Sequence, residues 1–147
     1  MIDQPAEPEK VVRVLNSLLR SEISATETYT QAIPRVQTDA GVLREIARDH
    51  GQAVSDLRAA IQSVGGTPEE SSGVFPALPA KAVFGPAQVF AEAAMLTALR
   101  EVEERGLGDY RDAVRRLNGA SLRWISENLI PAQMKHISDL EELLSRL

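Results

Sequence analysis

Apolar residues recur every three or four positions along most of the chain, with polar residues filling the gaps, the period of a helix with one buried face. A first helix is predicted from about Pro8 to Ile33, with Val11, Val12, Leu15, Leu18, Leu19, Ile23 and Tyr29 on one side and a stop before Pro34. A second begins near Asp39, a residue suited to an N-cap. It carries Val42, Leu43, Ile46, Val54, Leu57, Ile61 and Val64 to a stop at Gly65-Gly66. A third starts around Pro86 and runs through Val89, Phe90, Leu96, Leu99, Val102, Tyr110 and Val114 to Asn118-Gly119; a fourth covers about Ser121 to Leu147. Pro131 lies inside the fourth, where it removes a backbone hydrogen bond and predicts a bend just before Gln133. Strand signals are nearly absent, so the fold class is all-α.

The connections predict how the helices are arranged. The short links within the first and second pairs make two antiparallel hairpins. Between them, residues 66–85 are too many for a turn, and Val74, Phe75, Leu78, Val83 and Phe84 make the second half apolar enough to pack. Extended at roughly 3.3 Å per residue, this segment spans a bundle from end to end and makes helices 2 and 3 parallel. Residues 1–147 thus read as one domain, with a flexible N-terminus over 1–7.

On a seven-residue grid, each helix carries the same exception. The stripes read Leu15, Glu22, Tyr29; then Leu43, His50, Leu57, Val64; then Val89, Leu96, Glu103, Tyr110, Leu117; then Leu122, Leu129, His136, Leu143. Each apolar face holds one ionisable residue near its middle. Glu22 and His50 lie at matched distances from the first hairpin turn, as do Glu103 and His136 from the second, so antiparallel pairing brings each pair to one level. Two acids and two imidazoles are costly to bury unless they pair with one another or hold a metal, and the pattern admits both outcomes. Glu27, Glu45, Asp49, Glu101 and Glu104 fall off the grid and are assigned to solvated faces. Trp124 also falls off it, in a place to contact the crossover or a second copy of the chain in a homodimer.

Composition narrows the chemistry. With 147 residues, 44% of them hydrophobic, the chain has enough apolar surface for a real core. There is no cysteine, so a metal would be held by oxygen and imidazole, which suits Fe, Mn or Zn. The net charge of −5 is spread through interleaved Arg and Glu, with no basic patch for nucleic acid. The first ten residues lack a secretory pattern and no run reaches the roughly 20 apolar residues of a membrane span, so the expected setting is cytoplasmic.

The stretch LNSLLRSEISATETY, residues 15–29, resembles the first helix of bacterioferritin-like and rubrerythrin-like proteins, in which a Leu-Asn opening leads to a metal-binding Glu and a core Tyr. Glu22 and Tyr29 occupy those places. EERGLGDYRDAV resembles the matching third helix, with Glu103 at its metal Glu, and QMKHISDLEEL the fourth, whose pattern is Glu-x-x-His. LRAAIQSVGGTPEESSG followed by EERGLGDYRDAV is similar to small bacterial ferritin-like domains. The resemblance implies a ferritin-like four-helix bundle with a metal site in its core.

Two departures limit what carries over. The di-iron pattern has Glu-x-x-His on helices 2 and 4, but Ala47 stands in the first place and Gln133 in the second. Only Glu22 and Glu103 remain anionic, too little charge for a pair of divalent ions. One ion held by Glu22, His50, Glu103 and His136, with Gln133 or water completing its shell, would be charge-neutral. No catalysed reaction is implied. The other reading is a structural or self-associating bundle whose Glu/His layer is a buried polar network.

Overall fold

Pro8 opens the first helix because its fixed φ suits the first turn and its missing N–H leaves no donor to satisfy. A computed structural model describes residues 7–73 and 88–147. Helix α1 spans Pro8–Ala32 and α2 spans Ala40–Ser63; α3 is described over Gln88–Arg116, and α4 covers Gly119–Trp124. A π-helical turn, Ile125–Leu129, joins α4 to α5, Ile130–Ser145. The expected helix start at Pro86, the apolar crossover residues Val74, Phe75, Leu78, Val83 and Phe84, and residues 1–6 lie outside the described residues.

Side-chain pairs reveal the topology. Tyr29 reaches Glu103 and Tyr110 reaches Glu22, so α1 and α3 run in opposite directions. Asp39 pairs with Arg146 and Asp49 with His136, so α2 and α5 do as well. With α1 and α2 forming an antiparallel hairpin, α2 and α3 are parallel, as the long crossover requires. The chain is a four-helix bundle of ferritin-like topology, with no strand among the described residues.

The described start of the crossover lies along α1. Asn16 donates to the Thr67 carbonyl at 3.1 Å and accepts from Glu69 N–H at 2.8 Å, while Ser72 donates to Glu27 at 2.9 Å. Five residues of extended chain and eleven of helix both advance roughly 16 Å, so the two stay in step. Gly66 begins this path because an added Cβ would lie 2.6 Å from a Val12 methyl. Gly65, at φ +81°, supplies the left-handed residue that ends α2.

Two expectations about helix ends change. Asp39 holds the N-cap position of α2 but makes no side-chain cap. Glu92 of α3, buried although no grid marked it, accepts from the Gln37 backbone N–H and from the Thr38 hydroxyl. Val64, counted on an apolar face, and Leu147, taken as the end of the fourth helix, are 39% and 41% exposed because they lie just past the last turns of their helices.

In the fourth helix the register shifts. Ile125 is fully buried, whereas Leu122 and Leu129 are only half-buried. The π turn inserts one extra residue and rotates everything upstream by about 100°, so the seven-residue spacing fails across it. The distortion expected at Pro131 takes this form, just ahead of the proline, which sits in the first turn of α5. Trp124, turned inward by the same shift, packs on the core cluster around Leu18, Leu57 and Tyr110.

Candidate metal centre

Two apolar clusters fill the bundle, one around Leu15, Leu19, Leu57, Ile61 and Leu117 and the other around Leu43, Ile46, Leu96, Leu99 and Leu140. The polar layer lies between them. Glu22, His50, Glu103, Gln133 and His136 are all buried, none more than 4% exposed. Glu22, His50 and Glu103 come from mid-helix, with apolar neighbours a turn away on both sides (Leu18, Leu19 and Ala25; Ile46 and Ala53; Leu99 and Leu107), so each side chain must find its partners within the layer.

His50 is the hub. Its Nδ1 lies 2.5 Å from Glu22 Oε2 and its Nε2 lies 2.7 Å from Glu103 Oε1. Burial opposes the charged ring, but the two carboxylates outweigh it and raise His50 from 6.5 to about 10. Burial would likewise raise Glu103, yet the His50 imidazolium, with His136 beside it, brings it from 4.5 down to about 2. Both groups are therefore charged at neutral pH. Tyr29 donates to Glu103 Oε1 at 2.6 Å and Tyr110 donates to Glu22 Oε1. Burial first, and then Glu103 for Tyr29 and Glu22 for Tyr110, push both phenols well above their ordinary value, so they remain donors.

His136 differs. Its Nε2 lies 2.9 Å from Asp49 Oδ2, and a carboxylate there can only accept, so Nε2 carries the hydrogen. In the neutral ring that leaves a lone pair on Nδ1, which is buried, has no hydrogen-bond partner and lies 3.5 Å from Glu103 Oε2. The two imidazole rings are 5.0 Å apart between centroids. Ligand atoms of His50, Glu103 and His136 lie within 4.8 Å of one another. Glu22 is outside that group, because it faces the far nitrogen of His50.

Gln133 takes a place different from the expected one. Gly106, one turn after Glu103, has no Cβ; one added there would lie 2.7 Å from Gln133 Nε2. The amide therefore rests on α3, where its nitrogen donates to the Glu103 carbonyl at 2.9 Å and to the Glu103 carboxylate. The two acceptors fix the amide's orientation, and its nitrogen rather than its oxygen faces the acid. Ala47 is half-buried against the second apolar cluster.

Asp49 was not legible as part of the layer. Its side chain is 57% exposed and it lies off the apolar face, yet it holds the outer nitrogen of a buried imidazole. Among the other acids read as solvated, Glu45, Glu101 and Glu104 are exposed, and Glu104 pairs with Arg100 one turn away at 3.8 Å. The signal that could have flagged Glu92 is its spacing of four and seven residues from Leu96 and Leu99.

Residues 10–116 match the family described as a domain of unknown function, DUF2383. The chain belongs to that family. No curated protein matches this DUF2383 domain in sequence. Among solved structures it is similar to Rhodobacter capsulatus bacterioferritin, described with a metal-free dinuclear site and heme iron. The identity is 22%, with 97% of this chain and 87% of that one covered, and the TM-score is 0.77. It is also similar to a ferritin-like, diiron-carboxylate protein from Bacillus anthracis str. Ames, at 18% identity, 93% and 96% coverage and a TM-score of 0.72. At these identities the likeness is one of fold. No described helix is long and apolar enough to cross a membrane.

Proposed function

We propose that this DUF2383 domain binds one divalent cation, Fe, Mn or Zn, in the bundle core through His50 Nε2, His136 Nδ1 and Glu103. The observation that carries this reading is the buried, unpartnered Nδ1 of His136, aimed at Glu103 beside the inner nitrogen of His50. Each imidazole has a carboxylate on its outer nitrogen, Glu22 on His50 and Asp49 on His136. That arrangement orients a metal-bound histidine and strengthens its inner lone pair. A bound ion holds its ligands at roughly 2.0–2.2 Å, which in a tetrahedral shell puts them about 3.3–3.6 Å apart. The observed group, whose ligand atoms lie within 4.8 Å of one another, closes around an ion by side-chain movements of about 1 Å.

The charges support one ion rather than two. Glu103 as ligand and Glu22 across His50 balance a single dication, while Ala47 and Gln133 supply no bridging carboxylate. In this reading Gln133 orients Glu103 and Glu22 orients His50. The ion displaces the proton that His50 holds between the two acids. When bound, it supplies a fixed positive charge with coordination positions left open by the three protein ligands.

A second reading rests on a separate observation: apart from His136 Nδ1, the titratable groups of the layer already have partners, which is the state of a complete polar network. His136→Ala distinguishes the two. On the metal reading, titration calorimetry with ferrous iron, manganese and zinc shows one site in the parent and none in the variant. The variant's melting temperature then differs mainly when metal is present, since a ligand stabilises only the state that binds it. If the parent binds none of the three ions and the variant is equally destabilised with and without metal, the network reading stands.

A further inference from the structure

A cleft of about 100 Å³ opens between α1 and α3. Its floor is buried and polar, formed by Glu22, His50, Tyr110 and Gln133, and its walls are small or apolar, from Leu18, Ala25, Val102 and Gly106. The mouth is polar again, with the exposed Arg105 and Asp109 beside the hydroxyls of Ser21, Ser24 and Thr28. We infer that this cleft binds a free α-amino acid with a small polar side chain: its carboxylate meets Arg105, its ammonium meets Asp109 and its side chain reaches Gln133.

The two charges at the mouth do not neutralise each other. Arg100 pairs with Glu104 four residues on at 3.8 Å, yet Arg105, with Asp109 in the same relation, has no carboxylate partner among the described residues. Asp109 is one methylene shorter than a glutamate, and its Oδ2 accepts from Ser21 of α1 at 3.2 Å, which leaves Oδ1 for a second donor. A simple anion at the mouth would meet Asp109 and Glu22, and a simple cation would meet Arg105. A zwitterion satisfies both. Residues four apart on a helix hold their Cβ atoms roughly 5–6 Å apart, close enough to grip the two charged groups carried by one α-carbon. The Thr28 hydroxyl is bonded to the Ser24 carbonyl at 2.9 Å, whereas the Ser24 hydroxyl has no partner among the described residues and can donate to the ligand carboxylate.

The floor specifies the side chain. Glu22 accepts from Tyr110 and faces His50, so the charged groups there already have partners. Gln133 is 3% exposed and its nitrogen is held by Glu103, but its Oε1 accepts from none of the described residues. A buried acceptor calls for a donor, which a hydroxyl or amide at the tip of the ligand side chain supplies. A cavity of roughly 150 Å³ holds the six heavy atoms of benzene, so this smaller cleft takes a side chain of about four. Threonine, serine and asparagine meet both conditions.

The site does not depend on metal, and chelator-treated protein tests it apart from the reading above. On titration with L-threonine, L-serine and L-asparagine, the methyl resonances of Ala25 and Val102 shift and saturate. Propionate and ethylamine, each with one of the two charges, bind about tenfold or more weakly, and Arg105→Gln and Asp109→Asn, changes at exposed side chains, each weaken amino-acid binding by a similar factor. L-valine, which has the shape of threonine without its hydroxyl, also binds about tenfold weaker than threonine, and Gln133→Met removes that difference. Methyl resonances that do not saturate with any of the three amino acids overturn the proposal, as do propionate or ethylamine binding as tightly as they do, or unchanged affinity in both charge variants. Equal binding of threonine and valine by the parent overturns the contact with Gln133, whether or not the Gln133→Met variant folds.

Discussion

At the scale of single residues, the layer is ordered by what each nitrogen faces. His50 has a carboxylate at both ring nitrogens, His136 has one at its outer nitrogen, and the inner nitrogens converge on Glu103. Asp49 is the outlying member, and because it is exposed its loss costs the fold little. Asp49→Asn therefore leaves the melting temperature of metal-free protein nearly unchanged and weakens metal binding by about 10–100-fold, measured by competition with a chromogenic chelator. An equal loss of stability with and without metal would mark Asp49 as merely structural. Restoring the two missing acids with Ala47→Glu and Gln133→Glu together supplies bridging carboxylates, and iron per chain then rises from one toward two by elemental analysis. Without metal, the same double variant sets a second carboxylate, in place of the Gln133 amide, against the Glu103 carboxylate and carbonyl and is destabilised by about 1–3 kcal/mol.

At the scale of elements, the fourth helix carries the least regular geometry and supplies two members of the layer. The π turn over Ile125–Leu129, whose inward residue is Ile125, leads into a segment whose inward residues are Gln133, His136, Leu140 and Leu143. Truncation shows which register the core uses. Ile125→Ala removes a fully buried side chain and costs about 2–5 kcal/mol by denaturant melts. Leu129→Ala removes a half-buried one and costs clearly less. If Leu129→Ala were the more damaging change, the uninterrupted seven-residue register would be correct.

At the scale of the whole molecule, two apolar clusters hold a charged layer between them, so stability depends on the state of that layer. His50 holds its proton more tightly in the folded protein than its ordinary value of 6.5, up to about 10. Its contribution is thus complete below pH 6.5, declines as the pH rises and is gone above about pH 10. Glu103, lowered from 4.5 to about 2, contributes fully above pH 4.5 and loses its contribution as the pH falls through about 2. Metal-free protein is therefore most stable between these windows, and its melting temperature falls from pH 6 to pH 9. A bound ion reverses the alkaline trend, because it replaces the proton on His50 and competes better as protons become scarce. Thermal melts with and without zinc across that range check both signs, and His50→Gln removes the metal-free alkaline loss.

The linear pattern determined the helices, the two hairpins, the parallel second and third helices and the burial of Glu22, His50, Glu103 and His136, because helical period and link length are local properties of the chain. Burial at a shared level follows from offsets that can be counted. Only the tertiary structure decided which atom faces which. The exposed Asp49 reaches a buried ring because α2 and α5 pack side by side, and Gln133 turns its nitrogen to Glu103 because Gly106 on another helix leaves room. Glu22 is separated from the inner group by the orientation of one imidazole, a rotamer set by neighbours on three helices. The π turn likewise escaped the periodic reading, since one inserted residue leaves the apolar spacing on either side intact and shows itself only in which side chains the neighbouring helices cover.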